Sequence, residues 1–519
     1  MDPDLSPAPP DPDRARSLRR YARIAGAVGA VATLAVLSAV SSVKPAIPFP
    51  PAALAEAAIR ATPGDIATFF IELLQHWTLR LLTLVALVGA VLVGAEAMVR
   101  TSYGERSRPF VAAAIVSAGA GLSMLASPGE SVSVGAGILV CAVSLVVFGV
   151  VAGTMYRRIS AESATDMLRR RVLRVGLGGA AAMAVGGSGL SYLLRKLGGP
   201  DTNVAIAEPE AGVTPPSQGD FPAISGHTPL VTSAEDHYVV DINIVQPSVE
   251  AEGWTLSVRG AVAIPLELDF DGLQERFTVV EEYSVLSCIS NEIGGDLVGH
   301  SAWLGVRLTD VLDAAEIDTD EGDVVFRSAD GYSDSITLQV ARDPRVLLAI
   351  GQNGQPLSRE HGFPCRVRIP AIYGMKNAKW LQSIEVVRGD YRGYWQERGW
   401  SDGAEVQTSS RIDVAGIDLS ARTGDPTWVA GIAWAGERGI SRVEVSVDGG
   451  QSWSEARLET AASEVSWTRW AYEWTPEGSG PAKVVCRAVD GLGAEQEEGS
   501  APPHPSGATG YHYVSVDVA

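Results

Sequence analysis

The sequence predicts a multi-domain protein in which an α-helical membrane region of about five spans precedes an α+β domain and an immunoglobulin-like β-sandwich. Three observations predict it. Apolar runs, each close to the ~20 residues that a bilayer-crossing helix needs, recur through residues 22–197. Strand-like alternation mixed with helical spacing follows over 236–413. From residue 414 to 519 the pattern is strand-like throughout, with turn signals between the strands.

The apolar runs lie near 22–43, 77–99, 109–126, 132–155 and 174–194, which leaves 1–21 as a cytoplasmic tail and 22–197 as the membrane region. Basic residues alternate by side. Arg14, Arg16, Arg19 and Arg20 precede the first run, Arg100, Arg106 and Arg108 separate the second from the third, and Arg157 to Arg174 precede the fifth. An excess of arginine marks cytoplasmic loops, so an odd number of spans puts everything after Lys196 outside the cell, anchored in membrane lipid. Glu96 lies one turn before Arg100 and reads as half of a helix-end ion pair. His76 is the one histidine in this half, which argues against a bis-histidine haem inside the bundle. The run RRRVLR at 169–174, before the Gly/Ala-rich fifth stretch, resembles a twin-arginine export signal, and Ser17-Leu18-Arg19-Arg20 is a weaker copy. A plain basic stop before a helix accounts for 169–174 equally well.

Most of the acidic excess behind the net charge of −20 follows the membrane region and argues against a nucleic-acid partner. The 4 cysteines are too few for a disulfide framework. Cys141 lies in an apolar run and Cys486 in the strand-like VVCRAV, whereas Cys288 and Cys365 sit among polar or turn residues.

Residues 198–235, rich in Gly, Pro, Ser and Thr, read as a linker. In the α+β domain over 236–413, WTLSVRG at 254–260, VVFRS at 324–328 and SITLQV at 335–340 alternate like strands. WLGVRLTDVLDAA at 303–315 starts as a strand or turn and continues with helical spacing. In the β-sandwich over 414–519, Asp448-Gly449-Gly450 signals a hairpin and Cys486 faces the interior. Trp453, Trp467, Trp470 and Trp474 read as core and interface packing rather than a ligand groove.

Four stretches carry a resemblance: LSCISNEIGG at 286–295, PLSREHGFPCRVRIPAIYGMKNAKWL at 356–381, GYWQERGW at 393–400 and SSRID at 409–413. In this order and spacing they resemble the sulfite oxidase family of molybdopterin enzymes, from about Asp236 to the C-terminus and over none of the spans. The resemblance implies a molybdenum–molybdopterin cofactor (Moco), oxygen-atom transfer, and Cys288 as the protein's bond to the metal; a thiolate is a soft donor suited to it. A Cys288–Cys365 disulfide is the main alternative for these two sulfurs in an oxidising compartment. The resemblance further implies that His361 and Arg366 contact the pterin and its phosphate, for which the planar arginine fork is suited. Outside it, His361 reads as a capped turn histidine and Arg366 as a solvated strand residue. Lys379, beside Trp380, matches the family's KW pair at the pterin, with Asn377 just before it. Asp330 and the pair His237-Tyr238 fall where the family has further pterin contacts, in a local sequence that matches poorly. The tail GISRVEVSVDGGQSWSEARL resembles the family's C-terminal domain, which implies a homodimer.

The departures concern substrate. Sulfite oxidases place basic side chains directly after the cysteine, where this chain has Ser290-Asn291-Glu292. Ile350, in LLAIGQNG, stands where they carry a tyrosine, and near Tyr238 the expected arginine and asparagine–histidine pair are missing. The cofactor site reads as kept and the sulfite site as lost, with some other small-molecule substrate in its place. No haem ligand pair is present, so a separate electron carrier, a cytochrome or a quinone-linked partner, is implied. The rival readings are a reductase acting on sulfoxides or N-oxides, and a non-catalytic membrane-anchored binding protein that keeps the fold without metal.

Overall fold

The structure, a computed structural model, describes residues 12–43, 47, 49–62, 77–103, 106–125, 134–161, 165–167, 169–179, 182, 202, 204–214, 219–242 and 246–519. The chain divides into two compact units, Met1–Gly199 with Ile242–Ser248, and Pro200–Asp241 with Val249–Ala519.

The first unit is helical, with α1 (Pro12–Val43), α2 (Pro50–Ala61), α3 (Trp77–Arg100), α4 (Pro109–Leu125) and α5 (Val134–Ser160). Among the described residues, Pro12–Ser41, Leu81–Arg100 and Gly135–Ser160 are long and apolar enough to cross a membrane, and Pro109–Met124 is a shorter apolar helix. A helix over 169–179 enters the fifth apolar run at residue 174; nearly all of the run beyond residue 179 lies outside the described residues, as does His76. Small residues let the helices approach. A Cβ at Gly26 would lie 2.4 Å from the Gly94 carbonyl oxygen, and one at Gly29 would lie 2.9 Å from Ala152. Leu84, Val85, Val88 and Leu92 of α3, with Ile138 and Val146 of α5, face outward and exposed. Arg100 Nε donates to Glu96 Oε1 at 3.0 Å, and Arg23 of α1 approaches the other carboxylate oxygen to 4.0 Å. The carboxylate is thus paired at the helix end.

The second unit opens with a segment without helix or strand, which lies against the body. Thr232 N donates to His300 O at 2.7 Å and Trp467 Nε1 donates to Leu230 O at 3.0 Å. The strands that follow are β1 (Leu256–Gly260), β2 (Leu266–Leu268), β3 (Val279–Ser287), β4 (Val298–Arg307), β5 (Asp323–Ser328), β6 (Ser333–Thr337), β7 (Leu347–Gln352), β8 (Gln355–Pro356), β9 (Arg366–Arg368) and β10 (Leu381–Val387). One sheet runs β8-β7-β4-β3, with β9 also antiparallel to β7; the other runs β2-β1-β10-β5-β6, with β1 and β10 parallel. The buried runs of β4 and β7 have few exposed positions because both faces are covered. Among the described residues α-helix is confined to α6 (Phe270–Arg276), α7 (Leu308–Ala314) and α8 (Leu338–Ala341), so the domain is more β-rich than the α+β reading expects. The stretch 335–340 also differs from the single strand expected. Its strand ends at Thr337, whose hydroxyl accepts from Val340 N at 3.3 Å and starts α8.

The C-terminal part is a two-sheet sandwich. Its strands are β11 (Ser409–Ala415), β12 (Ser420–Ala421), β13 (Thr427–Trp434), β14 (Ile440–Ser446), β15 (Ser454–Glu455), β16 (Arg457–Leu458), β17 (Thr468–Trp474), β18 (Gly480–Asp490) and β19 (His512–Val518). The sheets run β11-β13-β17-β16 and β12-β19-β18-β14-β15, around a core that includes Val429, Val443, Trp470, Val484, Cys486 and Val516. Cys486 is interior, as its strand pattern requires. Trp467 packs with Ile289, Tyr373, Trp400 and Trp434 in a second cluster that joins the sandwich to the domain before it. Trp453 stays partly exposed beneath Arg487, 4.4 Å from ring to guanidinium.

Candidate active site

Strand β3 ends at Ser287, and the next residues fold back on themselves. Cys288 N donates to Leu297 O at 2.9 Å, Asn291 N to Cys288 O at 3.1 Å, and Leu297 N to Asn291 Oδ1 at 2.9 Å. This closed loop buries the Cys288 thiol, with Ser290 Oγ 3.0 Å from Sγ. Burial pushes the thiol up, against hydrogen bonds from Ser290 and from the backbone of Ser290 and Ile289 that favour the thiolate. All four cysteines are free, so the alternative of a Cys288–Cys365 disulfide is not realised. Cys365 is wholly buried and packs as a small apolar side chain.

Strand β9 carries two arginines on one face, Arg366 and Arg368. Arg366 Nη1 donates to His361 O at 3.1 Å and Nη2 to Asn377 O at 3.2 Å. Arg368 donates to Val285 O, just before the cysteine loop, and to Asn377 Oδ1 at 3.1 Å. Both guanidinium groups lie by the Trp303 ring, at 5.2 and 5.9 Å. Burial lowers them to about 10 and about 9, so both remain cations at neutral pH. Among the described residues, Nε of each has no hydrogen-bond partner. Arg368 is absent from the residues expected from sequence. The signal for it is its spacing of two from Arg366 in a strand.

His237 and His361 pack against this pair. His361 Nε2 donates to Ala234 O at 2.7 Å, the tautomer a carbonyl acceptor requires. His237 stacks on Tyr238 at 5.3 Å and meets Trp303 edge-on at 5.8 Å, and its Nε2 has no partner among the described residues. Burial depresses His237 to about 3 and His361 to about 4, so both are neutral imidazoles. Glycine at 299 makes room, because a Cβ there would lie 2.6 Å from the His237 ring. Tyr238 is close enough to Cys288, Arg366 and Arg368 to feel all three charges, and burial holds its phenol protonated.

Lys379 Nζ donates to Glu360 O at 2.9 Å, pairs with Asp241 and stands 4.6 Å from the Trp380 ring. Gly362 (φ +108°) lets Lys379 and Arg366 close on the same turn, since a Cβ would sit 3.0 Å from Lys379 Cβ and 3.1 Å from Arg366 Cβ. Asp330 adds its charge to the field at Lys379 while its Oδ1 accepts from Tyr332 N at 2.9 Å. The structure therefore gathers Cys288, Tyr238, His237, His361, Arg366 and Lys379 around one region, with Asp330 at its margin. Asn377 takes another part: Oδ1 accepts from Ile369 N at 2.7 Å and from Arg368, and Nδ2 donates to Tyr373 O at 3.1 Å. Its side chain is spent on the chain itself. Ile350 is wholly buried in β7.

The region is cationic and carries idle donors. A buried guanidinium surrounded mainly by carbonyls is costly unless an anion completes it, and here there are two. Together with the unpartnered Arg366 Nε and Arg368 Nε, they fit a polyanionic group such as a pterin phosphate, and the neighbouring thiol fits a soft metal.

Family comparison agrees with this chemistry. The family described as oxidoreductase molybdopterin binding domain matches residues 243–395, and the Mo-co oxidoreductase dimerisation domain matches residues 406–500. The mitochondrial sulfite oxidase of Homo sapiens is 32% identical over 295 residues, covering 47% of this chain and 53% of that protein. Residues 243–395 and 406–500 therefore carry the two domains of a molybdopterin-dependent oxidoreductase of sulfite oxidase type. The sulfite oxidase of Arabidopsis thaliana is also similar, 30% identical over 40% of this chain and 64% of that one. The nitrate reductase [NAD(P)H] of Hordeum vulgare is 29% identical over 47% and 33%. The crystal structure of the sulfane dehydrogenase SoxCD from Paracoccus pantotrophus aligns with a TM-score of 0.49 and 21% identity over 55% of this chain and 81% of that one. The chain spans about half the length of the mitochondrial sulfite oxidases it matches, 53% of the human protein. The family's cofactor is molybdenum held by molybdopterin, and the donor set around Cys288 suits it.

Proposed function

We propose that this chain is a membrane-anchored, extracytoplasmic molybdopterin-dependent oxidoreductase that transfers an oxygen atom at a molybdenum centre ligated by Cys288, with a substrate other than sulfite. The observation that carries the reading is the buried Cys288 thiol beside a cationic region with two idle guanidinium donors. The outward apolar faces of α3 and α5 support membrane anchoring, and the alternation of arginines along the apolar runs supports placing the C-terminal half outside.

When bound, the cofactor supplies two-electron redox chemistry and an oxo group for transfer. The protein's residues do the rest. Cys288 Sγ bonds the metal. The guanidinium of Arg366, with Lys379, would hold the pterin phosphate by charge-assisted hydrogen bonds, and Arg368 would add positive charge. His237 and His361, kept neutral by burial, hold their ring protons and offer directional contacts rather than charge. The closed loop 288–297 shields the sulfur from water.

Two features support a substrate other than sulfite: Ser290-Asn291-Glu292 supplies no cation next to the metal ligand, and Ile350 supplies no hydroxyl. They also favour a second reading, reduction of a neutral sulfoxide or N-oxide, because such a substrate needs no oxyanion site. Electrons pass to or from a separate cytochrome or quinone-linked carrier, and the C-terminal domain forms a homodimer. Molybdenum analysis of purified wild-type and Cys288→Ser protein tests the reading. Close to one molybdenum per chain, lost or spectroscopically altered in the variant, is expected. No molybdenum in wild-type protein matured in a competent host would leave a binding protein with this fold.

A further inference from the structure

The loop that holds Cys288 is closed without help from Ser290. Backbone bonds join Cys288 to Leu297, Asn291 to Cys288 and Gly295 to Glu292. The Asn291 side chain takes Leu297 N, and Arg411 Nη1 donates to Gly295 O at 2.9 Å. The Ser290 hydroxyl makes none of these bonds. Among the described residues, its one hydrogen-bond partner is Cys288 Sγ at 3.0 Å. A thiolate bound to a metal has no proton to give and can only accept. With the cysteine ligated, the Ser290 O–H must therefore be the donor, alongside the backbone N–H groups of Ser290 and Ile289 that also reach the sulfur.

We propose that Ser290 is a positioning residue for the metal ligand, whose hydroxyl donates to Cys288 Sγ, fixes the orientation of the thiolate and withdraws electron density from the bond it makes to molybdenum. The inference rests on the reading that Cys288 is the ligand. Donors to a ligating sulfur favour the reduced metal, because they stabilise the added charge. The hydroxyl would then hold the reduction potential of the centre up, in a chain that places no cation directly after the cysteine.

The test is a redox titration of the full-length protein, following the Mo(V) paramagnetic resonance signal, on wild type, Ser290→Ala and Ser290→Thr. Ser290→Ala is expected to keep its molybdenum, change the g-values of the signal and favour the oxidised metal by about tenfold in the one-electron equilibrium, equivalent to ~59 mV. Ser290→Thr is expected to restore the wild-type values. Identical g-values and midpoints in wild type and Ser290→Ala would overturn the proposal. If the alanine variant does not load, the comparison moves to metal content in Ser290→Thr and its isostere Ser290→Val. Metal in the threonine variant alone supports the hydroxyl donor, and equal contents in both overturn it. Cys288→Ser separates the two layers: wild-type metal content and signal in that variant would sink the ligand reading itself, independently of Ser290.

Discussion

His237 stands edge-on to His361, with ring centroids 5.4 Å apart, and burial keeps both imidazoles neutral beside Arg366. Their folded pKa values, about 3 and about 4, lie below the ~6.5 of an exposed histidine. Between those values the unfolded chain binds more protons, so stability rises with pH across the window. Full stability from these rings is present above about pH 6.5 and is lost as pH falls toward 4 and then 3. Thermal unfolding of the purified cofactor-free protein should give a lower midpoint at pH 5 than at pH 7.5. His361→Gln should flatten that dependence; an unchanged slope would mean the ring is not held neutral.

Arg366 joins two turns, donating through one nitrogen to His361 O and through another to Asn377 O. A lysine has no such fork and cannot serve both carbonyls and a phosphate together. Loss of one charge-assisted bond costs about 1.5–3 kcal/mol, or roughly a tenfold or greater loss of cofactor affinity. Arg366→Lys should therefore purify with far less molybdenum and pterin per chain than wild type, measured by metal analysis and by fluorescence of the released pterin. Full occupancy would remove Arg366 from the cofactor site.

Asn377 makes its contribution at one remove. Its oxygen satisfies Ile369 N and Arg368, and its nitrogen donates to Tyr373 O, so Asn377→Ala leaves buried donors unmet. The expected cost is about 2–4 kcal/mol of stability, present with or without cofactor. Comparing thermal midpoints of cofactor-free Asn377→Ala and wild type checks this. A variant as stable as wild type that nonetheless fails to bind the cofactor would restore a direct contact.

Legibility in the sequence followed the kind of constraint each residue obeys. Cys288, His361, Arg366 and Lys379 are reached only through the resemblance that their motifs carry, because by residue type alone His361 reads as a turn histidine and Arg366 as a solvated strand residue. Arg368 does not show, because nothing in a three-residue strand tells which face is covered, and an arginine in a strand is ordinarily solvated. It takes Trp303, on strand β4 across β7 in the same sheet, to make that face interior. The end of β6 at Thr337 was hidden for a related reason: SITLQV alternates well enough for a strand, and only the hydroxyl cap turns it into helix. In the N-terminal helices, apolar length was visible and packing was not. The close approach at Gly26 and Gly94 depends on which faces meet, a choice a uniformly apolar run leaves open.

Cys365 gives the cleanest contrast with Cys288. Both thiols are buried and free, and burial raises both, yet the interactions that favour a thiolate converge on Cys288, while desolvation alone acts on Cys365. Cys365 is an apolar plug in the turn before Arg366, so a side chain of similar size should replace it. Cys365→Val is expected to cost less than about 1.5 kcal/mol and to keep full molybdenum. Metal analysis with thermal unfolding reads both outcomes on one preparation. Were the two cysteines paired during turnover, Cys365→Val would instead free Cys288 to rapid alkylation in the cofactor-free protein, and oxidant would no longer protect it. The separation of roles predicts that oxidant makes no difference to Cys288 alkylation in either variant.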